Sequence, residues 1–217
     1  MNPNFPENNK PIILYRNPLS GHCHRVELLM AFMSVPYTTI DLDMANGAHK
    51  SPDYLKINPF GQVPVINDNG VFLPDSNAIL VYLAKKYGEG TATEWLPEEP
   101  ETAAEVQRWL SIAAGEIAAG PGAARLVNVF GASLDHDLAK SKAEKLFDTM
   151  EPLLAARNFL AGNTITIADV SGYSYIAHAP EGGVSLAPYP HIRAWIARIE
   201  AMPNFIGMKK SPLPKAA

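Results

Sequence analysis

Residues 58–66 read Asn-Pro-Phe-Gly-Gln-Val-Pro-Val-Ile, and the proline inside that Val/Ile-rich run restricts the fold more than any other feature of the chain. Pro64 cannot donate to a strand ladder, so it belongs at a strand start, an edge or a bulge. Further on, Asp75-Ser76 opens a segment over 76–87 whose Ile79, Leu80, Leu83 and Tyr87 share one helical face. An acidic-Ser pair before such a segment marks a helix N-terminus, which attracts anions. Together the two features describe a backbone edge and a helix end facing one cleft, as a receptor for a small peptide needs.

The elements on either side agree. Residues 12–15, Ile-Ile-Leu-Tyr, form a short apolar run bounded by Pro11 and by Asn17-Pro18, which suits a buried strand. Val26, Leu29, Met30 and Met33 follow at helical spacing and end near Ser34-Val35-Pro36. Residues 37–42 read as a second strand, so the chain opens strand–helix–strand, the order of a right-handed crossover and a parallel pair. Ser51-Pro52-Asp53 starts a short helix, with Ser as N-cap and Pro at the first helical position. Strands over 63–67 and 71–73, joined by Asp68-Asn69-Gly70, form a hairpin. The order βαβ, short α, ββα is that of a thioredoxin-like domain, here spanning 1–87.

Gly88, Gly90, Pro97 and Pro100 mark 88–100 as a linker. Beyond it, helices are expected over 101–119, 123–130, 134–157, 167–178 and 191–202, with a weak strand candidate at Val184-Ser185-Leu186. The expected fold class is therefore α/β plus all-α: an N-terminal thioredoxin-like domain followed by an all-helical C-terminal domain over 101–217. Thr166-Ile167-Ala168-Asp169 has capping-box spacing, with Asp in the fourth place.

Composition narrows the partners. A net charge of −4 and a pI near 5.9 imply no basic face for nucleic acid. The clustered cations, Lys209, Lys210 and Lys215, lie in a Pro-containing tail expected to stay solvated. Cys23 is the only cysteine, so neither an intrachain disulfide nor a multi-thiolate zinc site can form, which fits a reducing compartment. Residues 1–10 are polar, without a targeting segment, and the apolar region 112–134 is interrupted by Glu116, Pro121 and Arg125, unlike a membrane span. A soluble cytoplasmic protein is expected.

Asn58-Pro59-Phe60-Gly61-Gln62-Val63-Pro64, then Asp75-Ser76, preceded by Ser20 and by His49-Lys50, resembles the glutathione transferase superfamily. The likeness is nearest to its serine-type classes (phi, theta, zeta and their bacterial relatives). It extends over the whole chain and implies the glutathione transferase fold, with glutathione as co-substrate and no metal. Ser20, six residues before Val26, is the implied catalytic hydroxyl beside the sulfur. Val63-Pro64 is implied to be a cis peptide that turns the Val63 N–H and C=O toward the backbone of the tripeptide's cysteine, like an added strand. Ser76 and the first amides of its helix are implied to bind the γ-glutamyl carboxylate. Asp75 and Gln62 would hold the same end, and His49 and Lys50 the glycine carboxylate. A small hydrophobic electrophile is implied against the helix over 101–119, with Trp109, Ser111, Ile112, Gly115 and Glu116 as candidate lining. The likeness also implies a homodimer, with Phe60 and the start of that helix as contacts.

Thiol chemistry sets what such a site must do. The cysteine of glutathione starts near a pKa of about 8.5, so only a few per cent is thiolate at pH 7. Lowering that pKa by about two units takes roughly 2.7 kcal/mol and raises the thiolate fraction roughly 25-fold. Nucleophilicity falls with pKa and removes around eightfold of this gain, leaving about threefold. Positioning the thiolate against the electrophile must supply the rest. Conjugation is the leading reaction. The alternatives on the same fold are a glutathione-dependent disulfide oxidoreductase or peroxidase, which Cys23 keeps open, and a glutathione-dependent isomerase. Tyr15 is the rival hydroxyl. His22 and His24 are candidates for proton transfer, with surface histidines the plainer reading.

Overall fold

The computed structural model describes residues 2–6, 9–89, 91 and 93–211; Gly90 and Lys215 lie outside them. The chain divides into two compact units, Met1–Leu96 with Pro203–Met208, and Pro97–Met202 with Lys209–Ala217.

The first unit is built on β1 (Ile12–Arg16), α1 (Gly21–Phe32), β2 (Tyr37–Asp41), α2 (Pro52–Ile57), β3 (Val65–Asp68), β4 (Val71–Pro74) and α3 (Ser76–Tyr87). The sheet order is β2-β1-β3-β4, with β1 parallel to β2 and antiparallel to β3, and β3 antiparallel to β4. Alternation along β1 sends Ile12 and Leu14 into the fully buried core with Val26, Leu29, Ile66, Ile79 and Leu83. Tyr15 points to the opposite face, where its ring meets Tyr54 of α2 edge-on. β3 begins only after Pro64, because a proline cannot supply a ladder N–H. Buried Asp68, at the hairpin, accepts from the hydroxyls of Tyr82 and Tyr87 and from Lys86 Nζ, which ties the turn to α3. Residues 203–208 complete this unit: the Ile206 carbonyl lies 2.9 Å from His24 Nε2, and Phe205 packs on Phe32.

The second unit contains α4 (Pro100–Ile112), α5 (Ala123–Phe130), α6 (His136–Ala156), α7 (Ile167–Ala177) and α8 (Pro190–Glu200). The break expected after residue 119 does not occur. Residues Ala113–Gly122 continue the right-handed path from α4 into α5 as wide π-type turns. The wider turn accommodates Pro121, which has no N–H for an ordinary helical bond and would clash in a tighter one. Gly120 lets this segment lie against α6, where a Cβ would stand 3.0 Å from the Ala143 amide nitrogen. Val184-Ser185-Leu186 is irregular rather than a strand. Trp109, the first of the candidate lining residues, is buried in this unit's core, and its indole donates to Glu105.

Two buried polar centres organise these helices. Thr166 and Asp169 form the capping box that the sequence implies, and Asp169 also accepts from Leu160 N–H and from Trp195 Nε1, each at 2.8 Å. Arg125 Nε meets Glu181 at 2.6 Å with both side chains buried, while His178 Nδ1 and the Ser211 amide take the other carboxylate oxygen.

Candidate functional site

Sheet register gathers three loops at one end. Tyr15 pairs with Val65, and Val65 pairs with Pro74, so the segments just beyond them lie side by side. These are residues 17–20 after β1, 62–64 before β3 and 75–76 after β4. Each carries residues singled out from the sequence.

Ser20 is the N-cap of α1, and its oxygen accepts the Cys23 N–H at 3.4 Å. Accepting that bond leaves the hydroxyl proton available to donate, so capping and holding a sulfur anion are compatible in one side chain.

The Val63–Pro64 peptide bond is cis, as the resemblance implies. The Gln62 carbonyl just before it is held at 2.8 Å by both Tyr54 Oη and Asn58 Nδ2, leaving the Gln62 side chain exposed. A turn closed by Gly61 N–H on the Asn58 carbonyl precedes it, with Phe60 at the tip, 78% exposed.

His49 and Lys50 come from a short 3₁₀ turn, and Lys50 Nζ donates to the Phe60 carbonyl at 3.0 Å. Gly61 makes this approach possible: its φ is +58°, and a Cβ there would lie 2.7 Å from both the His49 carbonyl oxygen and Lys50 Nζ. Gly61→Ala is expected to cost about 2 kcal/mol of stability. Chemical unfolding of the parent chain and of Gly61→Ala checks that loss.

Ser76 opens α3 beside Asp75, whose carboxylate accepts the Ala78 N–H at 2.9 Å. Asp75 has φ 71° and ψ 119°, a strained conformation for a residue with a side chain, costing on the order of 1–3 kcal/mol. The Ser76 hydroxyl is nearly buried. It lies 3.2 Å from Arg25 Nη1 and 3.3 Å from His22 Nδ1, while Arg25 also reaches Asn77 Oδ1 at 3.0 Å. A fully buried guanidinium and the positive end of a helix meet at this corner, and both favour an anion.

Burial pushes the pKa of His22 down to about 3, helped by the charge on Arg25, so the imidazole is neutral at pH 7. His24 is held at the Ile206 carbonyl, a structural placement. Cys23 is fully buried, and burial pushes its thiol up to about 12, although the Asn17 amide donates to its sulfur at 3.5 Å. At pH 8 such a thiol is about one part in 10⁴ thiolate. The folded chain should therefore resist iodoacetamide at pH 8 and react only once urea unfolds it. Rapid labelling of the native chain, read by mass spectrometry, would overturn that.

Arg25, Gly61 and Asn77 escaped the sequence reading as contributors to this corner. Arg25 had a signal: a charge between Cys23 and Val26 on the apolar side of a helix needs a buried partner. Among the described residues, no cluster of three or more His, Cys, Asp or Glu could hold a metal ion, and no helix is long and apolar enough to cross a membrane.

Residues 10–85 match the family described as Glutathione S-transferase, N-terminal domain, and residues 133–203 match Glutathione S-transferase, C-terminal domain. The chain is 33% identical over 209 residues to glutathione S-transferase 3 of Zea mays, covering 90% of this chain and 91% of that one. A glutathione S-transferase of Pseudomonas fluorescens superposes with a TM-score of 0.86 at 28% identity, covering 93% of this chain and 100% of that one. A glutathione transferase homolog of Drosophila mojavensis, solved with bound glutathione, superposes with a TM-score of 0.79 at 29% identity, covering 89% of each chain.

Proposed function

Since the chain belongs to the glutathione S-transferase family and is a glutathione transferase enzyme, we propose that it joins the glutathione sulfur, as thiolate, to small hydrophobic electrophiles. Glutathione is the co-substrate of the family. In this reading the γ-glutamyl carboxylate sits at the mouth of α3 on Ser76 and the first helical amides, with Asp75 and Gln62 at the same end. Val63 offers its N–H and C=O to the cysteine backbone, and among the described residues neither has a partner within the chain. His49 and Lys50 take the glycine carboxylate, and Ser20 donates to the sulfur.

The observation that carries the reading is the register Tyr15–Val65–Pro74, which sets a hydroxyl, an open backbone edge and a helix N-terminus along one sheet end. Those are the groups a tripeptide thiol with an anionic end requires. Conjugation is favoured over disulfide exchange because the chain's own cysteine is buried and protonated. The enzyme is read as a cytoplasmic homodimer with a detoxifying role, and the exposed ring of Phe60 suits a contact between copies.

Calorimetry and thermal melting with millimolar glutathione test the binding. The expected results are measurable heat and a raised melting temperature; neither heat nor protection would remove the reading. A panel of halogenated aromatics, organic hydroperoxides and small disulfides then separates the reactions, with turnover expected on the aromatics. Size-exclusion chromatography tests the dimer.

A further inference from the structure

The Ser76 hydroxyl carries one proton and two lone pairs, and two nitrogens already face it: Arg25 Nη1 at 3.2 Å and His22 Nδ1 at 3.3 Å. Arg25 can only donate. The direction of the second bond therefore depends on which nitrogen of His22 carries the proton. If Nδ1 accepts, the serine proton is consumed inside the chain, and an incoming carboxylate meets only backbone amides. If Nδ1 donates, both lone pairs are filled. The serine proton then has no acceptor within the chain among the described residues, and its one remaining use is to bind a ligand anion. Only the second arrangement turns the serine proton toward an arriving carboxylate.

We propose that His22 is a positioning residue for the γ-glutamyl end of glutathione. Its Nδ1–H, with Arg25, fills the lone pairs of Ser76 Oγ, so the hydroxyl must donate to the carboxylate and cannot accept from the neighbouring ammonium. The inference rests on the glutathione reading above, and it assigns the discrimination between the two charged groups of that end to a side chain in the first turn of α1. Neutrality of the imidazole fits, because its tautomer, rather than its charge, then determines the bond.

Two substitutions and two analogues test it. His22→Asn keeps an N–H at the place of Nδ1, whereas His22→Leu has the same branching and no polar atom. One analogue, glutaryl-Cys-Gly, lacks the ammonium; the other, 4-aminobutyryl-Cys-Gly, lacks the carboxylate. For His22→Leu, calorimetry should show glutathione and the glutaryl analogue bound about fivefold to tenfold more weakly, with the aminobutyryl analogue changed by less than about twofold. For His22→Asn, glutathione affinity should return to within about twofold of the parent. In steady state the loss in His22→Leu should appear in KM for glutathione, with kcat unchanged. Equal glutathione affinity in the two variants, or equal weakening of all three ligands by His22→Leu, overturns the proposal while leaving the glutathione reading intact. A parent chain that binds no glutathione overturns both.

Discussion

Asp169→Ala is expected to remove about 4 kcal/mol of stability, seen as a large fall in the urea midpoint. The carboxylate is fully buried and accepts from Leu160 N–H at 2.8 Å, Thr166 N–H at 2.9 Å and Trp195 Nε1 at 2.8 Å. Alanine leaves all these donors buried without an acceptor, and each orphan costs about 1–3 kcal/mol. Asp169→Asn keeps one carbonyl oxygen but turns an amide toward a donor, so a loss of about 2 kcal/mol is expected. Burial pushes the Asp169 pKa from 3.8 up to about 6, although the donors around it favour the anion. A folded pKa above the unfolded one means that the folded chain binds the extra proton between those values. This group's contribution is therefore full below pH 3.8 and is lost as pH rises through about 6. Asparagine does not titrate, so the stability gap between parent and Asp169→Asn should narrow over that window. A gap that widens would show that the hydrogen bonds outweigh the burial.

Ser20→Ala is expected to lower turnover about tenfold near pH 6.5 while leaving glutathione affinity within about threefold. A hydroxyl bonded to a thiolate contributes about 1.5–3 kcal/mol, which raises the bound sulfur's pKa by about one to two units when it is removed. Ionisation alone accounts for only about threefold, because the less acidic thiolate that remains is the better nucleophile. The rest reflects a sulfur less firmly held against the electrophile. The ionisation part should vanish above the variant's thiol pKa, so the deficit should shrink with rising pH. Thiolate absorbance of bound glutathione, titrated in parent and variant, separates the two parts. An unchanged thiol pKa would take Ser20 out of the mechanism and leave it as the cap of α1.

Strongly local chemistry was legible in the sequence. Asp68-Asn69-Gly70 announced the hairpin and Thr166 with Asp169 the capping box, while the strand expected from Val63 starts only after Pro64. Position in the sheet brings the loops of the candidate site to one end, and the pairing of Tyr15 with Val65 and of Val65 with Pro74 that does so was not read from the sequence. Distant or compensated features were not legible. Pro121 read as a helix end, since nothing in the sequence shows that wider turns absorb it. Arg25 and Asn77 meet across many intervening residues, and the strain at Asp75 depends on the whole corner rather than on its neighbours. Gly61 stood in plain view within the motif, but its purpose depends on how closely His49 and Lys50 approach it.

Ile206 and Phe205 close over His24 and Phe32 from a segment that follows α8. A ribosome makes the strands of that unit first and residues 205 and 206 only after α4–α8. While the nascent chain grows, the first unit therefore waits with part of its covering not yet synthesised, exposed to proteases and chaperones. An expression fragment stopped at Leu96 would preserve that immature state indefinitely.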